Sequence, residues 1–170
     1  MSTHDDVRQS ARLTVLAGPS GVGKDSVTEL VRTRSPGLWR SVPLTTRPRR
    51  EHEIDGVHHR FVDRAEFARL LDDGQLLEWS EIGVHRYGTP SGPVRMRLSA
   101  GRPVLLTIDI RGARQVRAAM PEARLVYLAP PGVDVRAVGR EFDVTVVNHV
   151  IERAADELVG LLGSCHLTSS

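Results

Sequence analysis

A chain of 170 residues, 40% of them apolar, has the length of one domain and can bury a proper core. Its formal net charge of +2 is too small to imply a nucleic-acid or membrane surface, and no apolar stretch approaches membrane-spanning length. The single cysteine, Cys165, excludes an internal disulfide and points to a reducing, cytoplasmic setting.

Residues 1–11 are polar, with no hydrophobic segment, and read as a tail rather than a secretion signal. The apolar, β-branched run 13–17 predicts a buried strand. Gly18-Pro19-Ser20-Gly21-Val22-Gly23-Lys24 follows at once and fits G-x-x-x-x-G-K, the phosphate-binding loop. Lys24 is the only lysine of the chain, against twenty-two arginines. The loop accounts for that choice: its backbone N–H groups surround the phosphates, and a compact ammonium on a flexible stem reaches the β/γ oxygens where a forked guanidinium fits poorly. A helix over 25–34, with Val27, Leu30 and Val31 on one face, sets its N-terminus against the anion. Asp25 stands where a Ser or Thr hydroxyl usually ligates Mg²⁺. Either its carboxylate takes that role, or it turns outward as a first-turn helix residue and leaves the metal to Ser26.

A second strand is expected over 38–44, ending in the basic loop Thr45-Thr46-Arg47-Pro48-Arg49-Arg50. Three arginines on a proline-stiffened loop match phosphate oxygens in bidentate geometry. Residues 57–62 are extended, so the adjacent His58 and His59 point to opposite faces and make a poor metal pair. Asp63 caps a helix with Glu66 three residues on, and Gly74 ends it. A strand over 76–82 carries Glu78-Trp79, and the turn-rich 85–93 carries Tyr87-Gly88-Thr89. A carboxylate, a phenol and a hydroxyl there can read the donor edge of a base. After a helix over 94–100 comes the buried strand 104–108, ending at Asp109. That is where open α/β sheets place ligands, and also where a carboxylate caps the helix beginning near Arg111. A helix over 113–120, strands over 125–129 and 144–147, and an amphipathic helix over 151–162 complete the chain before a tail at 164–170.

This alternation predicts an α/β fold with a largely parallel central sheet, three-layered and P-loop NTPase-like. It divides into a P-loop unit at 12–37, a strand-rich insert at 38–93 and the remainder of the core at 94–163. An insert in that position can reach over the phosphate loop and hold a second substrate.

The motifs GPSGVGK (18–24), TTRPRR (45–50), DGV-HH-RFV (55–62), LLEW (76–79), YGTP (87–90), IDIRGARQVR (108–117), LAPP (128–131) and FDVTVVN (142–148) stand in an order and spacing that covers almost the whole chain. In these the sequence resembles the guanylate kinases, P-loop enzymes that transfer phosphate from ATP to GMP with Mg²⁺. The resemblance implies that Gly18, Ser20, Gly21, Val22, Gly23, Lys24, Asp25, Ser26 and Asn148 bind ATP, with Asp25 or Ser26 serving Mg²⁺. It implies that Arg47, Arg50, His59 and Tyr87 hold the phosphate of GMP, while Glu78, Gly88, Thr89 and Asp109 read or support its guanine. The catalytic cations would be Lys24, Arg47, Arg50, Arg136 and Arg140. The implied partners are small-molecule nucleotides, with neither nucleic acid nor membrane, and self-association into a homo-oligomer stays open.

Four positions depart from the family pattern. Pro43 replaces a serine that contacts the guanine, His59 a tyrosine that contacts the acceptor phosphate, and Thr107 an acidic residue. The fourth departure is a deletion. Several tens of residues normally form an arginine-rich lid over ATP, and here only 132–141 intervene, with Arg136 and Arg140 the sole basic residues. One positioned arginine contributes ~10³–10⁵ to the rate of phosphoryl transfer, so a slow enzyme is expected. A kinase for another phosphorylated acceptor and a non-catalytic nucleotide-binding module are the alternatives.

Overall fold

The computed structural model describes residues 12–163. The tails expected at 1–11 and 164–170, Cys165 among them, lie outside the described residues. The run 13–17 forms β1 (Leu13–Ala17), buried at every position. It is paired in parallel on both sides, in the strand order β6-β1-β7-β8, with β6 (Val104–Thr107), β7 (Arg124–Ala129) and β8 (Val144–Val147). A strand covered on both faces needs apolar residues throughout rather than alternation, which is why its sequence reads as an unbroken run. Its pleat divides them: Leu13, Val15 and Ala17 pack with Ala113 and Val116 of α4 (Ile110–Ala119). Leu16 packs on the other side with Val27 and Val31 of α1 (Lys24–Arg34) and with Ala154 and Leu158 of α5 (Ile151–Gly163). The result is the three-layer arrangement that the sequence pattern implied. Among the described residues no helix is long and apolar enough to cross a membrane.

A second sheet draws all its strands from within 44–90, in the order β3-β2-β5-β4. These are β2 (Leu44–Thr45), β3 (Arg60–Phe61), β4 (Leu76–Ile82) and β5 (His85–Pro90). Three local expectations change here. The extended run expected over 57–62 begins as a turn at 56–58 and is strand only at Arg60–Phe61. The strand expected over 38–44 shortens to Leu44–Thr45, with a single bridge from Trp39 to Val104 at the edge of the main sheet. The segment 85–93, read as turns, is largely strand: β5 pairs antiparallel with both β4 and β2. The turn itself is the short link through Gly83, whose φ of 63° demands glycine. The Asp63 cap forms as expected at α2 (Arg64–Asp72), its side chain accepting from the Glu66 N–H at 2.7 Å. Behind this sheet Phe67 and Leu70 of α2 pack with Leu44, and Trp79 stands edge-on to Phe67 at 6.3 Å. Helix α3 (Ser91–Ser99) leads back to the main sheet.

Where β1 ends, the chain passes close against its neighbour. A Cβ on Gly18 would lie 2.5 Å from the Leu128 carbonyl oxygen, a backbone atom that cannot move aside cheaply. Gly18→Ala is therefore expected to cost about 1–3 kcal/mol in overpacking and to lift the phosphate loop off the sheet. Urea unfolding should show the loss of stability, and ATP binding should weaken with it. Wild-type behaviour in both would show that the loop has room to spare.

Candidate active site

The phosphate loop leaves β1 and closes on the first turn of α1. Gly21 and Gly23 adopt φ of 80° and 94°, left-handed values that glycine alone reaches readily. Lys24 Nζ donates to the Gly18 carbonyl at 2.6 Å, so the ammonium is held across the mouth of its own loop. Asn148, just after β8, donates from Nδ2 to the Val22 carbonyl at 2.9 Å, which braces the loop from the far side. That Nδ2 would also stand 3.0 Å from a Cβ on Gly23, a second reason for glycine there. Asp25 faces the adjoining cleft, whereas Ser26 is exposed and off its lining. The Thr28 hydroxyl donates to the Lys24 carbonyl at 2.7 Å and lies 2.9 Å from the Thr107 hydroxyl, so Thr107 ties the end of β6 to α1.

That cleft has a volume of about 470 Å³ and runs between α1, the end of β6 and the second sheet. Strand pleating explains its polar wall. Glu78 pairs with Thr89 and Ser80 with Tyr87 across the β4–β5 ladder. Residues two apart on each strand share a face, and all four line the cleft along with Pro43 and Asp109. Gly88 between them also lines the cleft, through its backbone, while its Cβ position points away to Phe67 at 3.3 Å. Glu78 is 8% exposed and accepts from the Thr89 hydroxyl at 2.6 Å. Burial pushes its carboxyl up; the Thr89 bond opposes the shift, and the nearby Asp109 charge adds to it. Asp109 caps α4 by accepting from the Gly112 N–H at 2.7 Å and also faces the cleft, so the two roles read from the sequence coexist. Gly112 itself leaves space for Glu78, whose Oε2 would sit 2.9 Å from a Cβ there.

The arginine loop is organised by a residue that the sequence reading passed over. Glu53 is 6% exposed, and Arg47 reaches it with two parallel bonds of 2.7 and 2.9 Å. The same carboxylate accepts from the Arg50 N–H at 2.9 Å, and the Glu53 carbonyl accepts from Arg49 at 2.8 Å. Arg47's hydrogen bonds hold the Glu53 carboxyl well below the usual carboxylate range. His59 stands beside this pair, its ring edge-on to Tyr87 at 6.3 Å. Its neighbour His58 does something else, accepting from the Ile54 N–H at Nδ1. The Arg50 side chain is exposed and makes no ion pair among the described residues. A second overlooked residue is Gln115 of α4. It takes the Trp79 N–H at 3.0 Å and donates to the Trp79 carbonyl at 2.8 Å, stapling β4 to the core. Neither residue announces itself in sequence, since both are ordinary polar residues on mostly polar stretches.

Arg136 and Arg140 fall in the connection between β7 and β8, residues 130–143, which holds only a single 3₁₀ turn at Val135–Val138. Arg136 is bonded to Asp134 within that turn, and its side chain is 92% exposed. The returning end is tied to α4 by Arg114–Glu141 and Arg117–Asp143 ion pairs. The structure thus brings Lys24, Asp25 and Asn148 together at the loop, and Glu78, Tyr87, Thr89 and Asp109 along the cleft. It sets Arg47 and His59 beside Tyr87, holds Arg50 to Glu53 by its backbone N–H with the side chain exposed, and leaves Arg136 and Arg140 on an exposed strap.

Residues 10–139 match the guanylate kinase family model, and the match ends inside that short strap. A guanylate kinase of Thermobifida fusca is 49% identical, the alignment spanning 92% of this chain and 93% of the relative. One of Rhodococcus jostii is 48% identical over 89% and 86%. The Thermobifida alignment runs to 182 positions, more than the 170 residues of this chain, so the relative carries residues with no counterpart here. A crystal structure of guanylate kinase from Anaplasma phagocytophilum superposes with a TM-score of 0.70 at 27% identity, over 94% of this chain and 88% of that one.

The Glu53 pair should be visible in stability. A carboxyl whose folded pKa is depressed stabilises the fold above its unfolded pKa of about 4.3 and loses that contribution as pH falls toward the folded value. Glu53→Gln should therefore melt below wild type at neutral pH, and the gap should close on acidification below about pH 4. A gap that is constant from neutral to strongly acid solution would contradict the pair's ionic contribution.

Proposed function

The chain belongs to the guanylate kinase family, ATP-dependent nucleoside monophosphate kinases that take ATP and GMP to ADP and GDP, and we propose that its residues divide that reaction as follows. The donor triphosphate lies on the phosphate loop, with free backbone N–H groups of the loop and the Lys24 ammonium on its oxygens and Asn148 bracing the loop. The acceptor lies in the cleft, its base toward Glu78, Thr89 and Asp109 and its phosphate toward Arg47, Arg50, His59 and Tyr87. No protein nucleophile is needed, because positioning and charge neutralisation suffice for in-line transfer.

The buried Glu78 carboxylate carries the base assignment. It accepts from Thr89 on one oxygen and keeps acceptor capacity for two donors, which guanine presents at N1–H and N2–H₂ and adenine does not. Mg²⁺ fits the donor side in a restricted way. Among the described residues no group of three or more His, Cys, Asp or Glu gathers into a metal cage, and Mg²⁺ characteristically takes one or two carboxylates with the rest from phosphates and water. Asp25, facing the cleft, suits that role better than Ser26. The metal would neutralise charge on the transferring group.

For the transition state, Lys24 is joined by Arg136 and Arg140 as the basic residues of the strap. Losing a lid's cations at ~10³–10⁵ in rate makes a slow enzyme with a sound acceptor site. The retained phosphate-loop lysine, and the identity to guanylate kinases, weigh against a docking module.

A coupled assay with ATP and a panel of monophosphates tests the reading, and GMP should be the preferred acceptor. Glu78→Gln should raise the KM for GMP about ten- to a hundredfold, the worth of a charge-assisted hydrogen bond, while barely changing that for AMP. Preference of the wild type for AMP or a pyrimidine nucleotide would sink the guanine assignment. Turnover should fall below the ~1–100 s⁻¹ typical of kinases. Arg136→Ala and Arg140→Ala should lower kcat with little change in the KM for GMP. A kinase-like turnover that survives both substitutions would show that the strap's arginines are dispensable.

A further inference from the structure

We propose that His59 makes binding of the acceptor phosphate proton-linked: its imidazole takes a proton from solvent as the phosphate arrives and pairs with it as an imidazolium. This rests on the acceptor-phosphate reading of the arginine loop and goes beyond it, since the cations there otherwise have fixed charge.

The geometry supplies the motive. The His59 side chain is 24% exposed. Its Nδ1 is buried without a hydrogen-bond partner, standing 3.5 Å from Glu53 Oε2. Glu53 already accepts three bonds, Oε1 from Arg47 and from the Arg50 N–H and Oε2 from the other arm of Arg47, which leaves an acceptor position on Oε2 facing the ring. Phe61 crowds one side of the ring at 5.7 Å and Tyr87 another at 6.3 Å. A buried ring nitrogen with no hydrogen-bond partner is a poor resting arrangement for a neutral imidazole, and protonating the ring would make it a donor aimed at Glu53 Oε2.

The charges around the ring fix the direction of the linkage. In the protein alone burial disfavours the imidazolium, the Arg47 charge disfavours it further, and Arg40 adds to this from the segment before β2. Glu53 alone favours it, and the sum holds His59 below the ordinary histidine value, hence neutral at pH 7. Tyr87, the facing group on β5, meets the ring edge-on. A phosphate dianion lodged against Arg47 and Arg50 cancels the positive field that opposed protonation and adds a negative partner. The folded pKa then rises on binding, and by linkage the affinity for the dianion rises as pH falls.

The sign has one complication, because protonating Glu78 would weaken the base contacts in the same direction of pH. The ratio of guanosine to GMP dissociation constants cancels that effect, since both ligands carry the base and only GMP carries the phosphate.

The test is calorimetric titration of the whole protein with GMP and with guanosine, at pH 6.5 to 8, in buffers of different ionisation enthalpy. Wild type should take up protons on binding GMP and not guanosine. The guanosine-to-GMP ratio of dissociation constants should grow toward low pH, by up to about tenfold for each unit by which the His59 pKa rises. His59→Tyr keeps a hydrogen-bond donor that does not titrate in this range, so GMP should still bind. What proton exchange remains should be only the release from the nucleotide's own second ionisation, near pH 6, as it binds in the dianionic form. His59→Gln should behave in the same way. Tight GMP binding with the same proton uptake in wild type and both variants would overturn the linkage and leave the kinase reading standing. GMP binding no better than guanosine in wild type would overturn the acceptor-phosphate reading and the linkage with it.

Discussion

The double parallel pairing of β1 is the constraint on which the rest of this molecule depends. Held between β6 and β7 and buried at every residue, the strand can end in only one place, at the carboxyl edge of the sheet. Gly18 then runs against the Leu128 carbonyl with no room for a side chain. Position and direction of the phosphate loop follow from this contact, and α1 inherits both. The neighbouring strands deliver their own polar groups to the same edge: Thr107 and Asp109 from the end of β6, Asn148 from the end of β8. Parallel strands all end on one side, so a single edge collects everything chemical.

The second sheet has to be held to that edge by other means. It is small, and its buried apolar cluster holds only Leu44, Phe67 and Leu70. Polar ties do much of the joining. Gln115 satisfies both backbone groups of Trp79 from α4, and Asp109 caps the same helix that Gly112 thins to admit Glu78. Beside the sheet Glu53 ties together the Arg47 side chain, the Arg49 side chain and the Arg50 backbone. Three cations crowded on one loop repel one another, and a buried carboxylate among them makes the arrangement tolerable.

Much of this was legible in the residues, and the exceptions have physical reasons. The phosphate loop was readable because its glycines, lysine and flanking strand each answer one requirement of a bound anion. The Asp63 cap was readable because capping is local. β5 was read as turn because Tyr-Gly-Thr-Pro is rich in turn formers; its strand character comes from pairing with β4 on one side and β2 on the other, which no local window contains. The reverse holds for 38–44, where apolar residues suggested a strand and only Leu44–Thr45 found a sheet partner beyond one bridge. Glu53 and Gln115 were invisible for a different reason. Their importance lies in being buried against specific backbone and guanidinium groups, and a sequence shows residue type but not burial.

The strap between β7 and β8 has a further consequence, for the tempo of the catalytic cycle. In enzymes that fold a lid over the donor, reopening to release product often limits turnover. Here the corresponding chain is a single 3₁₀ turn, fastened at its returning end by two ion pairs to α4. A strap of that length offers a triphosphate far less cover than a folded lid. On the proposed reaction, spent nucleotide would leave by simple diffusion and the bond-breaking step would govern the steady state, so added viscogen should have little purchase on kcat. Without a lid, bulk water would also reach a bound γ-phosphoryl group, so hydrolysis should compete with transfer whenever the acceptor is scarce. Economy of chain is thus exchanged for fidelity, and the ratio of nucleotide diphosphates formed to inorganic phosphate released becomes a property of how full the acceptor cleft is kept.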